Sequence, residues 1–314
     1  MRTLALANIG FVGQNLSRPE CVLACQSGML YLSDGRGGVT GIAPTGEQSF
    51  LGAAPIVPNG IALLRDGSFA VANLLEDNGG VWLRRRDGVF EPWITEIDGR
   101  TLGSVNFVWL DHEERLWICV SSRTKFTGTY DRHSSDGYIA IHDGRGSRIV
   151  AEGLTWTNEC RLDPQRNVLV VNETFGRRLT RFHVRQNGDL YERHTLAEFG
   201  KGDFPDGMAI DEEGGVWIAS IVSNRIIRVE IDGTQRLVLE DPSPESSQIE
   251  DLYLADQLTR TRVTAARGSI LSNVSSIAFG GPNLKQVFLG SLGGNAIATF
   301  NSSVAGIPPV HWTW

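Results

Sequence analysis

Residues 204–220 read FPDGMAIDEEGGVWIAS: two short apolar runs, Met208-Ala209-Ile210 and Val216-Trp217-Ile218-Ala219, joined by a turn of acids and glycines. Asp206 stands at the mouth of the first run between Pro205 and Gly207, as turn chemistry or as a ligand. The stretch decides the fold because it recurs. PECVLACQSGMLYLSD begins at Pro19, PNGIALLRDGSFAVAN at Pro58, VNFVWLDHEERLWICVSS at Val105, TNECRLDPQRNVLVVNET at Thr157 and VSSIAFGGPNLKQVFLGSL at Val274. Each continues into further turn-and-strand pairs, such as RIIRVEIDGT and GGVTGIAPTGE. Units start near 20, 59, 106, 158, 206 and 275, 39 to 69 residues apart, the period of a propeller blade of four short antiparallel strands. The density of Gly, Asp and β-branched residues excludes helical repeats. The prediction is an all-β chain, residues 1–314 forming a single six-bladed β-propeller, with LALANIGFVG supplying the outer strand of the last blade.

Composition agrees. The 314 residues are 41% hydrophobic, with 36 glycines and 12 prolines, enough for a sizeable core cut by many turns. A net charge of −7 repels nucleic acid and anionic membranes, so neither is expected as a partner. Cys21, Cys25, Cys119 and Cys160 lie in apolar runs without zinc or disulfide spacing, and read as buried thiols of a reducing compartment. The N-terminal apolar run is broken by Asn8 and Gly10 and falls far short of the roughly 20 residues of a membrane span, so a cytoplasmic location is expected. Oligomeric state is left open.

Register carries the functional reading. Counting back eleven residues from Tyr31, Ala70, Trp117, Leu169 and Trp217 lands on Glu20, Asn59, Asn106, Asn158 and Asp206. In the sixth unit two extra turn residues move the position to Ser275. All six side chains carry oxygen. The first strand of a propeller blade lines the central channel, so these side chains converge on the axis. Carboxylates facing one another there repel unless a cation sits between them, and oxygen donors suit Ca2+, Mg2+ or Mn2+, with Zn2+ also accepting carboxylates. Turn chemistry accounts for the Asn-Gly at 59–60 and the Asp-Gly at 206–207, but not for Glu20, Asn106 and Asn158, which no glycine follows. One divalent cation at the channel centre is the cofactor expected.

The chain resembles the SMP-30/gluconolactonase/luciferin-regenerating-enzyme family along nearly its whole length, most specifically in PDGMAIDEEGGVWIA, in VSSIAFGGPNLKQVFLGSL and in the early glutamate of RPECVLA. The resemblance implies a metal-dependent lactonase, with relatives that hydrolyse esters or organophosphates. It implies that Glu20, Asn158 and Asp206 hold the metal, that Asn106 touches substrate beside it, and that Asp206 is general base or nucleophile. The chain departs from the Arg-x-Asn-Asp-Gly segment of the sugar lactonases, reading Ser104-Val105-Asn106-Phe107-Val108 instead. Without that Arg and Asp a hydroxyl-rich sugar lactone loses hydrogen-bond partners. Phe107, Trp109 and Trp156 place aromatic surface near the same rim and Arg123 follows in the next loop, so these join Asn106 as expected substrate-binding residues. A small, less polar lactone or ester, with a carboxylate for the basic loop, is the expected partner.

The expected reaction is metal-assisted hydrolysis with Asp206 taking a proton from water, and Asn106 and Asn158 offering amide hydrogens to the oxyanion. Rival readings are an esterase or phosphotriesterase of the same fold, a metal-free strictosidine-synthase-like enzyme, suggested by VVNETFGRRLTRF, and a non-catalytic binding platform. Glu173 in that segment reads as the partner of Arg177 or Arg178. No GxSxG motif marks a serine hydrolase. Residues 241–273 account for the longest spacing. Ile249, Leu252, Leu254 and Leu258 recur at roughly helical intervals, predicting a short helix that serves as a lid, an interface or a packed surface excursion.

Overall fold

A computed structural model describes residues 3–314 and has six four-stranded antiparallel sheets, five of them wound from the inside outward in chain order. The inner strands are Val22–Ala24, Pro58–Leu63, Val105–Leu110, Thr157–Asp163, Pro205–Ile210 and Val274–Gly280. Each touches the inner strands of the two neighbouring sheets, and the sixth touches the first, so the ring closes as a six-bladed β-propeller. In the last blade Gly10–Val12 pairs antiparallel with Ile297–Asn301, so an early strand completes the sheet of a late one and ties the ring shut. Burial follows position within the blade. Pro58–Leu63 is buried at every residue, whereas the outermost strand of the first blade, Gln48–Gly52, is largely exposed.

The turns between the first and second strands of the fifth and third blades are locked by a repeated device. Asp211 accepts from the Trp217 indole at 2.8 Å and pairs with Arg228 at 2.6 Å. One hundred residues earlier Asp111 accepts from the Trp117 indole at 2.8 Å and pairs with Arg115 at 2.6 Å. Glu173 pairs with Arg178 at 2.5 Å and Arg193 at 3.1 Å, as a structural carboxylate. The four cysteines are buried and unpaired.

The insertion forms two helices, α1 (Ser246–Leu254) and α2 (Arg260–Ala265). α1 is clamped to the blades: Glu250 accepts both guanidinium nitrogens of Arg177, at 3.0 and 2.5 Å, and the Tyr253 hydroxyl donates to the Phe175 carbonyl at 2.8 Å. Ile249, Tyr253, Leu258 and Val263 close an apolar cluster with Phe175 and Phe204. Val263, Thr264 and Arg260 thereby line one mouth of the channel, which makes the segment a packed lid. Residues 305–314 cross the other mouth. Ile307 donates to Ile210 at 3.0 Å and Trp312 accepts from Gln26 at 2.8 Å, so the tail bridges the fifth and first blades. Among the described residues no helix is long and apolar enough to cross a membrane.

Candidate metal centre

Five of the six inner strands carry a register shift, and each shift falls at the polar position: Pro58/Ile61, Val105/Phe107, Thr157/Cys160, Pro205/Met208 and Val274/Ser276. A bulge frees a residue from the ladder and re-aims its side chain, here toward the axis. Gly207 does not serve a turn, as a β-carbon there would meet the Ser275 carbonyl at 2.2 Å and Glu159 Oε1 at 2.8 Å. Glycine at this position lets the fifth and sixth inner strands approach; at Gly60 the same test meets Phe107 at 2.4 Å. The Asp-Gly and Asn-Gly pairs are therefore close-packing devices inside strands.

Glu20, Asn59, Asn106, Asn158 and Asp206 line one pocket of about 190 Å3 beneath the lid. Asn158 donates its amide nitrogen to Thr174 Oγ1 at 2.9 Å and to Asp206 Oδ1. Both its N–H bonds are thus engaged, which removes Asn158 as the oxyanion donor expected from sequence, and its Oδ1 is buried with no hydrogen-bond partner. Glu20 accepts from Asn59 at 3.1 Å through one oxygen, while its other oxygen is buried and without a partner. Asn59 also donates to the Asn106 carbonyl at 2.8 Å and accepts from Arg18 at 2.6 Å, tying three blades together. Ser275 turns instead to the Glu20 backbone carbonyl at 3.0 Å and is not a ligand candidate.

Orphaned buried oxygens cost free energy, so two of them, on Glu20 and Asn158, beside the carboxylate of Asp206 describe a site suited to a group that satisfies oxygen lone pairs. Burial first, then the charge of Glu159, pushes Asp206 up to about 8. Burial likewise holds Glu20 well above the usual carboxylate range, with Arg18 pulling against it and Asp206 and Glu159 adding to it. The donor set of two carboxylates and one amide oxygen fits a hard divalent cation, whose charge would return both acids to their ionised forms. Among the described residues no trio of His, Cys, Asp and Glu is clustered as a metal set, and the unpartnered oxygen beside the two acids is the Asn158 amide oxygen.

Glu159 was not anticipated. Strand alternation assigns it to the face opposite Asn158; it is fully buried between the fourth and fifth inner strands, outside the pocket lining but close enough to act on Asp206. Its Oε2 accepts from the Met208 amide at 3.1 Å and pairs with Arg161 at 2.9 Å, while Oε1 is buried and unpartnered. Burial raises it to about 7 against the pull of Arg161. The sequence signal was an acid directly beside a ring position in TNEC.

The expected substrate-binding residues divide. Asn106 and Trp156 line the pocket. Phe107 does not: it is 1% exposed in the core, with the Arg161 guanidinium 4.6 Å over its ring. Trp109 lines a separate cavity at the opposite mouth, because it lies further down the same inner strand. Arg123 turns outward to pair with Glu152 and cover the Tyr138 ring. Lys125 pairs with Asp77 at the surface. The aromatic wall comes instead from Phe126, Tyr130 and Phe175 together with Trp156. Tyr130 stacks on Phe175 at 3.9 Å between centroids, and the Trp156 ring meets both edge-on at 5.1 and 5.4 Å. The Trp156 indole nitrogen is spent on the Asp131 carbonyl at 2.7 Å, leaving its ring as apolar surface.

Comparison with known proteins extends the picture. A Bacillus subtilis (strain 168) protein provisionally named sugar lactone lactonase YvrE is 26% identical over 121 residues, 37% of this chain. The match spans only 38% of that relative's length. Among solved structures, XC5397 from Xanthomonas campestris, described as a gluconolactonase, superposes with a TM-score of 0.68 at 17% identity, covering 94% of this chain and 88% of that one. The calcium-binding protein regucalcin from Agrobacterium tumefaciens strain C58 gives 0.71 at 16% identity, covering 97% and 98%. These likenesses are of fold. The family model described as "SMP-30/Gluconolactonase/LRE-like region" matches residues 18–249, which hold most of the propeller and all five inward polar positions from Glu20 to Asp206, and the chain belongs to that family.

Proposed function

We propose that the protein is a divalent-cation-dependent hydrolase that opens a lactone less polar than a sugar lactone, giving a hydroxy acid. The observation that carries this reading is the pair of unpartnered buried oxygens, on Glu20 and Asn158, beside Asp206 at the floor of an aromatic-walled pocket. Glu20, Asn158 and Asp206 would hold the cation. A cation there supplies Lewis acidity toward a carbonyl oxygen and orders water near it. Asp206, its carboxylate ionised, takes the proton from the attacking water. The acyl–oxygen bond breaks and the proton passes to the departing alkoxide. The amide nitrogen of Asn106, which makes no protein hydrogen bond among the described residues, is free to donate to the developing oxyanion. Trp156, Tyr130, Phe126 and Phe175 exclude water and offer ring faces, a setting for an apolar or aromatic acyl group.

The family membership and the relatives described as lactonases support the reaction class. Support for the substrate's reduced polarity comes from the aromatic wall and from Ser104 and Phe107 standing where the sugar lactonases carry Arg and Asp. A panel of lactones and aryl esters, followed by proton release with and without chelator, tests the proposal alongside metal analysis of the purified protein. One bound divalent ion, and chelator-sensitive hydrolysis favouring apolar lactones, is the expected result. Faster turnover of aryl esters would make it an esterase. A metal-free protein with no hydrolysis would sink the reading and leave a binding propeller.

A further inference from the structure

Two guanidiniums line the pocket besides the three candidate ligands: Arg18 from the segment before the first blade and Arg260 from the lid. Neither makes an ion pair with a carboxylate among the described residues, whereas Arg123, expected near the site, is spent on Glu152, and Lys125 in the same loop on Asp77. Arg18 is held in an unusual backbone. Its φ is +46°, in the left-handed region, directly before Pro19, a combination that ordinary sequences avoid. Two hydrogen bonds fix its side chain, to the Pro58 carbonyl at 2.9 Å and to Asn59 Oδ1 at 2.6 Å. A cation that is half-buried, strained and aimed by neighbours rather than neutralised is a positioned binding group. Arg260 reaches the pocket from the other side with its guanidinium 4.9 Å over the Phe126 ring, part of the same aromatic wall. The Tyr130 hydroxyl feels the fields of both, Arg260 more strongly than Arg18, against the upward push of burial.

We infer that Arg18 and Arg260 form a carboxylate clamp above the candidate metal centre, so that the substrate is a lactone or ester bearing one carboxylate on an apolar or aromatic body. Charge arithmetic supports the count. A divalent cation balances Glu20 and Asp206, and Glu76, which also lines the pocket, balances one of the two arginines. Glu76 is held in place by accepting from the Phe126 amide at 2.8 Å. One positive charge remains for the ligand. The inference rests on the hydrolase reading for the words "lactone or ester", while the clamp itself does not.

The test separates the two. Binding of 3-phenylpropanoate and of its neutral isostere 3-phenylpropanamide is followed by tryptophan fluorescence on cation-loaded protein, together with turnover of dihydrocoumarin and a carboxylated dihydrocoumarin. The propanoate should bind about tenfold or more tightly than the amide, from charge-assisted hydrogen bonds, and the gap should narrow in high salt. Arg260→Gln, at an exposed position of the lid, should erase most of that gap by weakening the propanoate alone. Arg18→Gln should do the same with its metal content retained. Equal binding of the two probes, or an Arg260→Gln variant that weakens both alike, overturns the clamp. Preference for the propanoate without hydrolysis of any lactone keeps the clamp and removes the hydrolase. Hydrolysis with no preference for the carboxylated substrate removes the clamp and keeps the hydrolase.

Discussion

Asp206 and Asp211 lie five residues apart in one hairpin, both fully buried, and they are opposite in kind. Asp211 is saturated: it accepts from the backbone amides of Glu213 and Gly215, from the Trp217 indole and from Arg228. Asp206 has one amide donor, Asn158, and lies in the field of Glu159, which the positive charge of Arg18 opposes. A carboxylate whose lone pairs are all answered holds the fold together, whereas one left short of donors is poised to bind. The same division separates Glu173, ringed by Arg178, Arg193 and Thr180, from Glu20 with its unpartnered oxygen. Burial and charge alone do not tell these acids apart; the donor count does.

The comparison breaks most sharply on activity. Asp206→Ala should abolish stoichiometric cation and lower kcat/KM by roughly a thousandfold or more, as removal of a ligand and proton acceptor does, read by metal analysis and steady-state kinetics. Asp211→Asn should reverse the pattern. It keeps the cation but costs about 1–3 kcal/mol of stability, because the Asn amide sets a donor where Asp211 accepts from the Trp217 indole and Arg228, which keeps only Glu213 and Glu230, measured by urea unfolding. Asp206→Asn, by contrast, should leave the chelated protein as stable as the parent or more so, since the folded channel prefers a neutral group there. Equal stability losses in the two asparagine variants would dissolve the distinction.

A smaller effect is expected at Asn59, which donates to Glu20 without being a ligand candidate. Asn59→Ala should weaken cation affinity by about 10- to 100-fold, the usual scale for a residue that orients a ligand, visible by calorimetry. The pH dependence of the chelated protein follows from the raised acids. Asp206, at about 8, and Glu159, at about 7, both bind protons in the folded state that the unfolded chain has released. Their contribution is full below the ordinary carboxylate range and lost as pH rises toward 8, so chelated protein should grow less stable from pH 5 to pH 8. Saturating cation should flatten or invert that slope, because the ionised acids are then paired. The smallest change is predicted for Arg123→Ala, whose guanidinium faces Glu152 outside the pocket: kcat/KM should move less than about twofold, and stability by under about 1 kcal/mol.

Much of this protein is legible in its sequence. The recurrence of FPDGMAIDEEGGVWIAS determined six blades, because strand length, turn chemistry and apolar alternation are local properties written in consecutive residues. Register determined the polar ring, since equivalent positions of a closed repeat converge on one axis. Tertiary structure alone decided which members of that ring are short of partners. It turned Ser275 to a backbone carbonyl, made Asn59 a support for Glu20 and buried Glu159 against the fifth inner strand, where its charge acts on Asp206. It also exchanged Phe107, Trp109 and Arg123 for Phe126, Tyr130, Phe175, Arg18 and Arg260, drawn from loops and a lid distant in sequence. Periodicity reports which face of a strand a residue takes, but how many donors reach a buried oxygen, and which loops fold over it, depends on contacts between segments far apart in the chain.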